Sequence, residues 1–264
     1  MTVLTLGPAG TVSHDLAARL YGDDIELLPT IRSIIARVAS GSGRGLVPIE
    51  NSEAGGVGET LQGLMEFEVS ITAEAYMPVR HHLAARYDPS RLSVIYAHPQ
   101  THEQCSIFLD NLGVEVVHTS SNAASAVAMQ RNENAGAIIS EMAARIYSLP
   151  IAVRDVQNRR DNTTRFVEIS PLPRDLAGCT KCSLLVDPEI DRVGLLADIL
   201  GVFARRGINL TRIESRPSRR GIGRYIFFID LEISEGWLEA EEELRGMTNL
   251  RELGCYPRLE VPGV

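Results

Sequence analysis

Apolar and polar positions along this chain alternate between strand-like runs and helix-like spacing, and the pattern restarts once near residue 180. VLTL (3–6) is a short apolar run that predicts a buried strand, and Gly7-Pro8-Ala9-Gly10 predicts the turn after it. Thr11 or Ser13 can cap a helix running to about Tyr21. Ile31, Ile34, Ile35 and Val38 recur at helical spacing and predict an amphipathic helix over 30–39. GLVPIE (45–50) reads as a strand, and the glycine-rich stretch 54–58 precedes a helix near 59–66. LSVIYA (92–97) then leads to a helix near 101–111, and VEVVHT (114–119) to an alanine-rich helix over 122–131. GAIIS (136–140), a helix over 141–147, and the strands IAVRDV (151–156) and RFVEIS (165–170) complete this part. Such alternation predicts an α/β fold with mostly parallel sheets. Ligands of such folds sit beyond the carboxyl ends of strands, which directs attention to the loops after 6, 50, 97 and 156.

The break falls at Pro171-Leu172-Pro173 through Gly178, a stretch with a linker's composition. Beyond it come a strand (181–187), a helix (193–206), two strands (208–216 and 224–233) around a turn at 217–223, a helix (236–246) and a strand (250–256). That order, βαββαβ, is the ferredoxin-like unit. The expected division is 1–174 and 179–264.

Composition narrows the function. The net charge is −8 over 264 residues, which argues against nucleic acid and anionic lipid as partners. No apolar run approaches a membrane span and the start shows no signal peptide, so a cytoplasmic protein is expected. Lys181 is the only lysine and heads a strand, a poor place for a phosphate loop or a Schiff base. Cys179 and Cys182 form a C-x-x-C without a second pair of ligands, so Cys105, Cys179, Cys182 and Cys255 are expected as free thiols. His98 and His102 are separated by Pro99, which disfavours the helix that would align them. His81-His82 has no nearby carboxylate or cysteine, and no metal is predicted.

Candidate chemistry lies in four segments. Thr11 and Ser13 place hydroxyls and free amides at a helix start. Pro48-Ile49-Glu50-Asn51-Ser52, with Thr60-Leu61 downstream, puts three polar side chains at a strand end. His98-Pro99-Gln100 ends another strand with an amide. Asn162-Thr163-Thr164-Arg165-Phe166 sets neutral donors and a guanidinium just before a strand, and arginine grips carboxylates bidentately. Each is ambiguous alone, since polar residues also cap helices and pair with surface acids. Their order is specific: it resembles the prephenate dehydratase catalytic domain from end to end. Gly207-Ile208-Asn209-Leu210-Thr211 and Glu214-Ser215-Arg216-Pro217 resemble the ACT module fused to that enzyme. Val12, Asn158 and Leu195 depart from the family's usual phenylalanine, aspartate and alanine.

The resemblance implies a two-lobed catalytic domain like a periplasmic binding protein, a ferredoxin-like ACT domain, and prephenate or its transaminated counterpart arogenate as substrate. Aromatisation drives that reaction, so no cofactor is expected. Thr164 would be the essential hydroxyl, Glu50 the candidate general acid, with Asn51 beside them. Arg165 would anchor a carboxylate, and Asn162, Thr163, Ser52, Gln100, Thr11 and Ser13 would complete the cleft. L-Phenylalanine would be the allosteric effector, held by Gly194, Leu195, Asn209, Leu210, Glu214, Ser215, Arg216 and Pro217 where two ACT domains meet. A homodimer or homotetramer follows from that pairing.

Overall fold

The computed structural model describes residues 2–173, 175–189, 192–221 and 223–263. The expected first-domain end at 174, the termini at 1 and 264, and residue 222 of the expected turn lie outside them.

Lobe 1 is built from β1 (Val3–Leu6), α1 (Val12–Tyr21), β2 (Ile25–Leu28), α2 (Ile31–Ala39), β3 (Arg44–Asn51), the short β4 (Gly55–Gly56), α3 (Gly58–Glu66) and β5 (Ser70–Pro78). Lobe 2 follows with β6 (His82–Ala85), β7 (Val94–Ala97), α4 (Pro99–Gln104), α5 (Ser106–Leu112), β8 (Glu115–His118), α6 (Asn122–Gln130), β9 (Ala135–Ile139), α7 (Glu141–Ile146) and β10 (Ile151–Val153). The chain then returns to lobe 1 as β11 (Thr163–Ser170). Strand orders are β2-β1-β3-β11-β5 in lobe 1 and β10-β6-β9-β7-β8 in lobe 2.

The sheets are mixed rather than mostly parallel. β11 enters antiparallel between β3 and β5, and β6 lies antiparallel to β9 and β10, because the chain crosses between lobes twice instead of winding through one sheet. Pro99 does not prevent a helix either. It occupies the first turn of α4, where its missing N–H is unneeded, and His98 caps that helix.

The second region has β12 (Lys181–Asp187), α8 (Leu195–Arg205), β13 (Leu210–Pro217), β14 (Tyr225–Glu232), α9 (Trp237–Met247) and β15 (Asn249–Tyr256), in the order β13-β14-β12-β15. One face of this sheet packs under α8 and α9 through Leu184, Ile199, Phe203, Leu231 and Leu244. Its other face closes lobe 1: Leu185, Ile226, Phe228, Leu253 and Tyr256 share a core with Ile34, Ile49, Leu64 and Ile71. The cysteine expectation is corrected here. Antiparallel pairing of β12 and β15 sets Cys182 opposite Cys255, and the two form a disulfide. The pairing skips the C-x-x-C neighbour because the partner lies 73 residues away in sequence.

After β15 the chain runs back along lobe 1. The Glu74 amide donates to Pro257 O (3.0 Å), and the Leu259 amide donates to Glu74 O (2.7 Å). Leu259 and Val261 join the core beneath α1, and Arg19 Nη1 donates to Pro262 O at 3.0 Å.

Candidate active site

A cavity of about 520 Å³ lies between the lobes. It collects Thr11, Val12 and Ser13 from the start of α1, Pro48 and Asn51 from β3, and the 54–57 turn. Lobe 2 contributes His98, Gln100, Thr101, Gln104, Ser120, Ser121 and Asn122, and β11 contributes Thr164 and Phe166. α1, α3, α4 and α6 all begin at this wall, so the positive ends of four helices lie at the space. No arginine, lysine, aspartate or glutamate lines the cavity among the described residues.

Thr164 sits in a hydrogen-bond chain whose direction is fixed. Asn51 Oδ1 accepts from the Glu53 and Ala54 amides at 3.0 Å each, so its nitrogen faces Thr164. Asn51 Nδ2 donates to Thr164 Oγ1 (2.9 Å) and to Asn162 Oδ1 (2.7 Å). Asn162 Nδ2 in turn donates to the Glu53 carboxylate at 2.9 Å. A carboxylate only accepts, which orients every amide in the chain. Thr164 Oγ1 thus receives a bond from Asn51 and keeps its own hydrogen for a ligand.

Two expected residues are not in this cleft. In β11 alternate residues face opposite ways, so Thr164 and Phe166 face the cavity and Arg165 faces away from it. The Arg165 guanidinium is buried at the seam with the second domain: Nε donates to Glu74 (2.7 Å), Nη1 to Asp230 (2.5 Å) and Nη2 to Tyr256 Oη (2.9 Å). Burial opposes its charge, but Asp230, Tyr256 and Glu74 outweigh that and raise its pKa. Glu50 pairs in register with Arg165, shares its face, and lies 3.5 Å from Arg165 Nη1 and 3.6 Å from Arg212 Nε. The geometry therefore places neither Arg165, expected as an anchor, nor Glu50, expected as an acid, at the cavity. The segment also lies within the strand rather than before it, which is why the alternation applies.

The remaining candidates divide. Thr11, Ser13, Asn51, Gln100 and Thr164 reach the cavity. Asn162 stands behind Asn51, Ser52 Oγ accepts from the Thr163 amide (3.0 Å), and the Thr163 hydroxyl turns to Asp161 O. Residues missed at the sequence level are Glu53, Thr101, Gln104, Ser121, Asn122 and His81. Ser121 and Asn122 carried the same strand-then-cap signal as Thr11. Glu53 and Gln104 carried none, because only the fold brings them together.

The effector segment also splits. Gly194, with φ of 82°, and Leu195 line a cavity of about 210 Å³ together with Tyr225 and Phe227. Ser215 and Pro217 pair with Phe227 and Tyr225 on that side of β13. Glu214 and Arg216 point the other way, where side chains at Gly56 and Gly58 of the cleft-side turn would meet them. Asn209 bonds Glu232 at 3.0 Å, and Leu210 packs against the helix-covered core.

A two-lobed α/β domain with a donor-lined cleft, closed on one side by a ferredoxin-like domain, defines a small-molecule site with an attached regulatory module. The prephenate dehydratase family profile matches residues 3–173 and the ACT domain profile matches 185–246. The chain belongs to the prephenate dehydratase family. It is 34% identical over 266 residues to a prephenate dehydratase of Methanocaldococcus jannaschii, covering 95% of this chain and 96% of that one. Among solved structures, the prephenate dehydratase of Arthrobacter aurescens in complex with L-Phe has a TM-score of 0.86 and 30% identity, covering 98% of this chain and 90% of that one. A structure described as a novel type of quorum quenching acylase has a TM-score of 0.86 and 27% identity, covering 98% of each chain.

Proposed function

We propose that the chain converts prephenate to phenylpyruvate, with Thr164 donating its hydroxyl hydrogen to the departing ring hydroxyl. The observation that carries this reading is the oriented chain Glu53–Asn162–Asn51–Thr164, which leaves the threonine hydrogen available to a ligand. Prephenate is a dianion, and the cleft offers it hydroxyls, amides and helix starts rather than a guanidinium. Neutral donors suit a reaction in which one carboxylate must leave as carbon dioxide, because a tight ion pair would hold it back. Arogenate carries an ammonium where prephenate has a keto oxygen, and the lining presents no carboxylate to pair with it. That favours prephenate. Acyl transfer would need an activated nucleophile, and no cleft hydroxyl is hydrogen-bonded to an imidazole among the described residues. Incubation of the purified protein with prephenate and with arogenate tests the reading: phenylpyruvate should form, and faster than phenylalanine does.

Regulation by phenylalanine belongs to the same proposal. Its binding surface is the cavity at Gly194 and Leu195, completed by a second copy across the edge strand β13, in a homodimer or homotetramer. Half-exposed Ile213 on that edge supports the pairing. Phenylalanine should inhibit, and should raise the assembled fraction in sedimentation.

A further inference from the structure

His81 lies on the β5–β6 connection, one of the two crossings between lobes, and is 3% exposed. Its amide donates to Gln157 Oε1 at 3.1 Å and its carbonyl accepts from the Val156 amide at 2.9 Å, so the residue is held on both sides. Its Nε2 is 2.9 Å from Gln104 Oε1, and Gln104 Nε2 donates to Glu53 at 3.2 Å. Because Glu53 accepts, the Gln104 amide must present its oxygen to the ring. Nε2 therefore carries the ring proton, and Nδ1 is a bare lone pair. That Nδ1 is buried with no partner, in a residue that lines the cleft. A buried acceptor without a partner is unfavourable, and a ligand or a proton at that atom would satisfy it.

The proposed reaction has a matching need. Prephenate leaves as a monoanion, carbon dioxide and water, so one proton is consumed per turnover. Thr164 can pass a proton on but brings no net one. Among the described residues lining the cleft, His81 and His98 are the only imidazoles. His98 Nδ1 already accepts from the Gln100 amide at 3.3 Å, as the cap of α4.

Resting on the prephenate reading, we propose that His81 is the general acid, taking up one proton from the buffered solvent onto Nδ1 as the dianion binds and giving it to the leaving hydroxyl. The C–O bond breaks with its electron pair going to oxygen, which takes the Nδ1 proton and departs as water. The bond to the ring carboxylate breaks, its pair completes the aromatic ring, and carbon dioxide leaves. His81 returns to neutral, and nothing else is oxidised or reduced.

In the free protein, burial holds the His81 imidazole below its ordinary pKa; the Gln104 bond offsets this in part and His82 adds to the lowering. Glu53 lies behind Gln104, His98 is the other imidazole on the cavity wall, and neighbouring Arg80 is engaged with Asp155 at 3.1 Å. The ring is thus neutral at pH 7 until a dianion faces it. It follows that kcat/KM should fall about tenfold per pH unit above the free-enzyme pKa, and the corresponding limb of kcat should lie at higher pH.

His81→Asn keeps an amide near the Nδ1 position but cannot deliver a proton. It should lower kcat by about 10²–10⁴ with KM changed little, and remove the alkaline limb. A second measurement does not depend on that variant folding. Thr164→Val should bind prephenate while turning it over slowly, and calorimetry in buffers of different ionisation enthalpy should show about one proton taken up on binding. Wild-type kcat in His81→Asn, or no proton uptake in Thr164→Val, overturns the role of His81 alone. Failure of the wild type to act on prephenate sinks the underlying reading as well.

Discussion

The cleft and the seam behind it are built from the same strand by opposite means. Among the described residues, the cleft wall sets neutral polar groups among apolar ones such as Val12, Val79 and Phe166, with Asn51 oriented by Glu53 through Asn162. The seam concentrates charge where water is absent: Arg165, Glu74 and Asp230 are all buried, with Lys181 2.9 Å from Glu74 and Ser183 2.5 Å from Asp230. A buried ion pair adds little net stability, yet removing one member leaves the others uncompensated. The seam therefore fixes how the second domain sits on lobe 1, whereas the cleft leaves its donors for a ligand. Function lies in the neutral region, and positional specificity in the charged one.

The largest test removes the cation. Arg165→Met should destabilise the protein by about 3–5 kcal/mol in chemical denaturation, because Glu74 and Asp230 lose their shared partner. The KM of the folded fraction should stay put; a large rise in KM with intact stability would return Arg165 to the substrate. Thr164→Val is the mirror experiment. It should lower kcat by about 10²–10³ and leave the denaturation midpoint where it was, as expected for loss of one oriented donor. Leu195→Ala comes next, since Leu195 both lines the cavity proposed for phenylalanine and packs the core. Widening the cavity should shift the phenylalanine concentration for half-inhibition by about 1 kcal/mol or more, with uninhibited kcat unchanged. Glu50→Gln should do least, within about 0.5 kcal/mol of wild type in either property. A collapse of kcat there would put Glu50 back into the chemistry.

Periodicity made most elements legible, because α2 and α8 bury one stripe each and β12 is buried continuously from Cys182 to Val186. It missed β2, β5 and β6. β2 is only half-buried, and β5 carries Thr72, Glu74 and Tyr76 toward Glu168, Arg165 and Lys181, all remote in sequence. The motif segments pointed to loops that meet at the cavity but not to which of their side chains face it. Whether Arg165 or Thr164 meets the ligand depends on where β11 begins, and a shift of one residue exchanges the faces. His81 was passed over for want of nearby carboxylates in sequence, yet Glu53 reaches it through Gln104 across 51 residues.

The shared core of lobe 1 and the ACT sheet has a consequence for how this enzyme can be taken apart. Cutting the chain near residue 174 would strip Leu185, Ile226, Phe228, Leu253 and Tyr256 from that core. It would also leave Arg165 and Glu74 facing solvent, and remove the 257–263 return segment from beneath α1. Loss of phenylalanine response in such a fragment would thus be confounded with damage to the catalytic lobe. The regulatory module is a structural wall of the house it regulates, so desensitised forms should arise by single substitutions at the effector cavity rather than by its deletion.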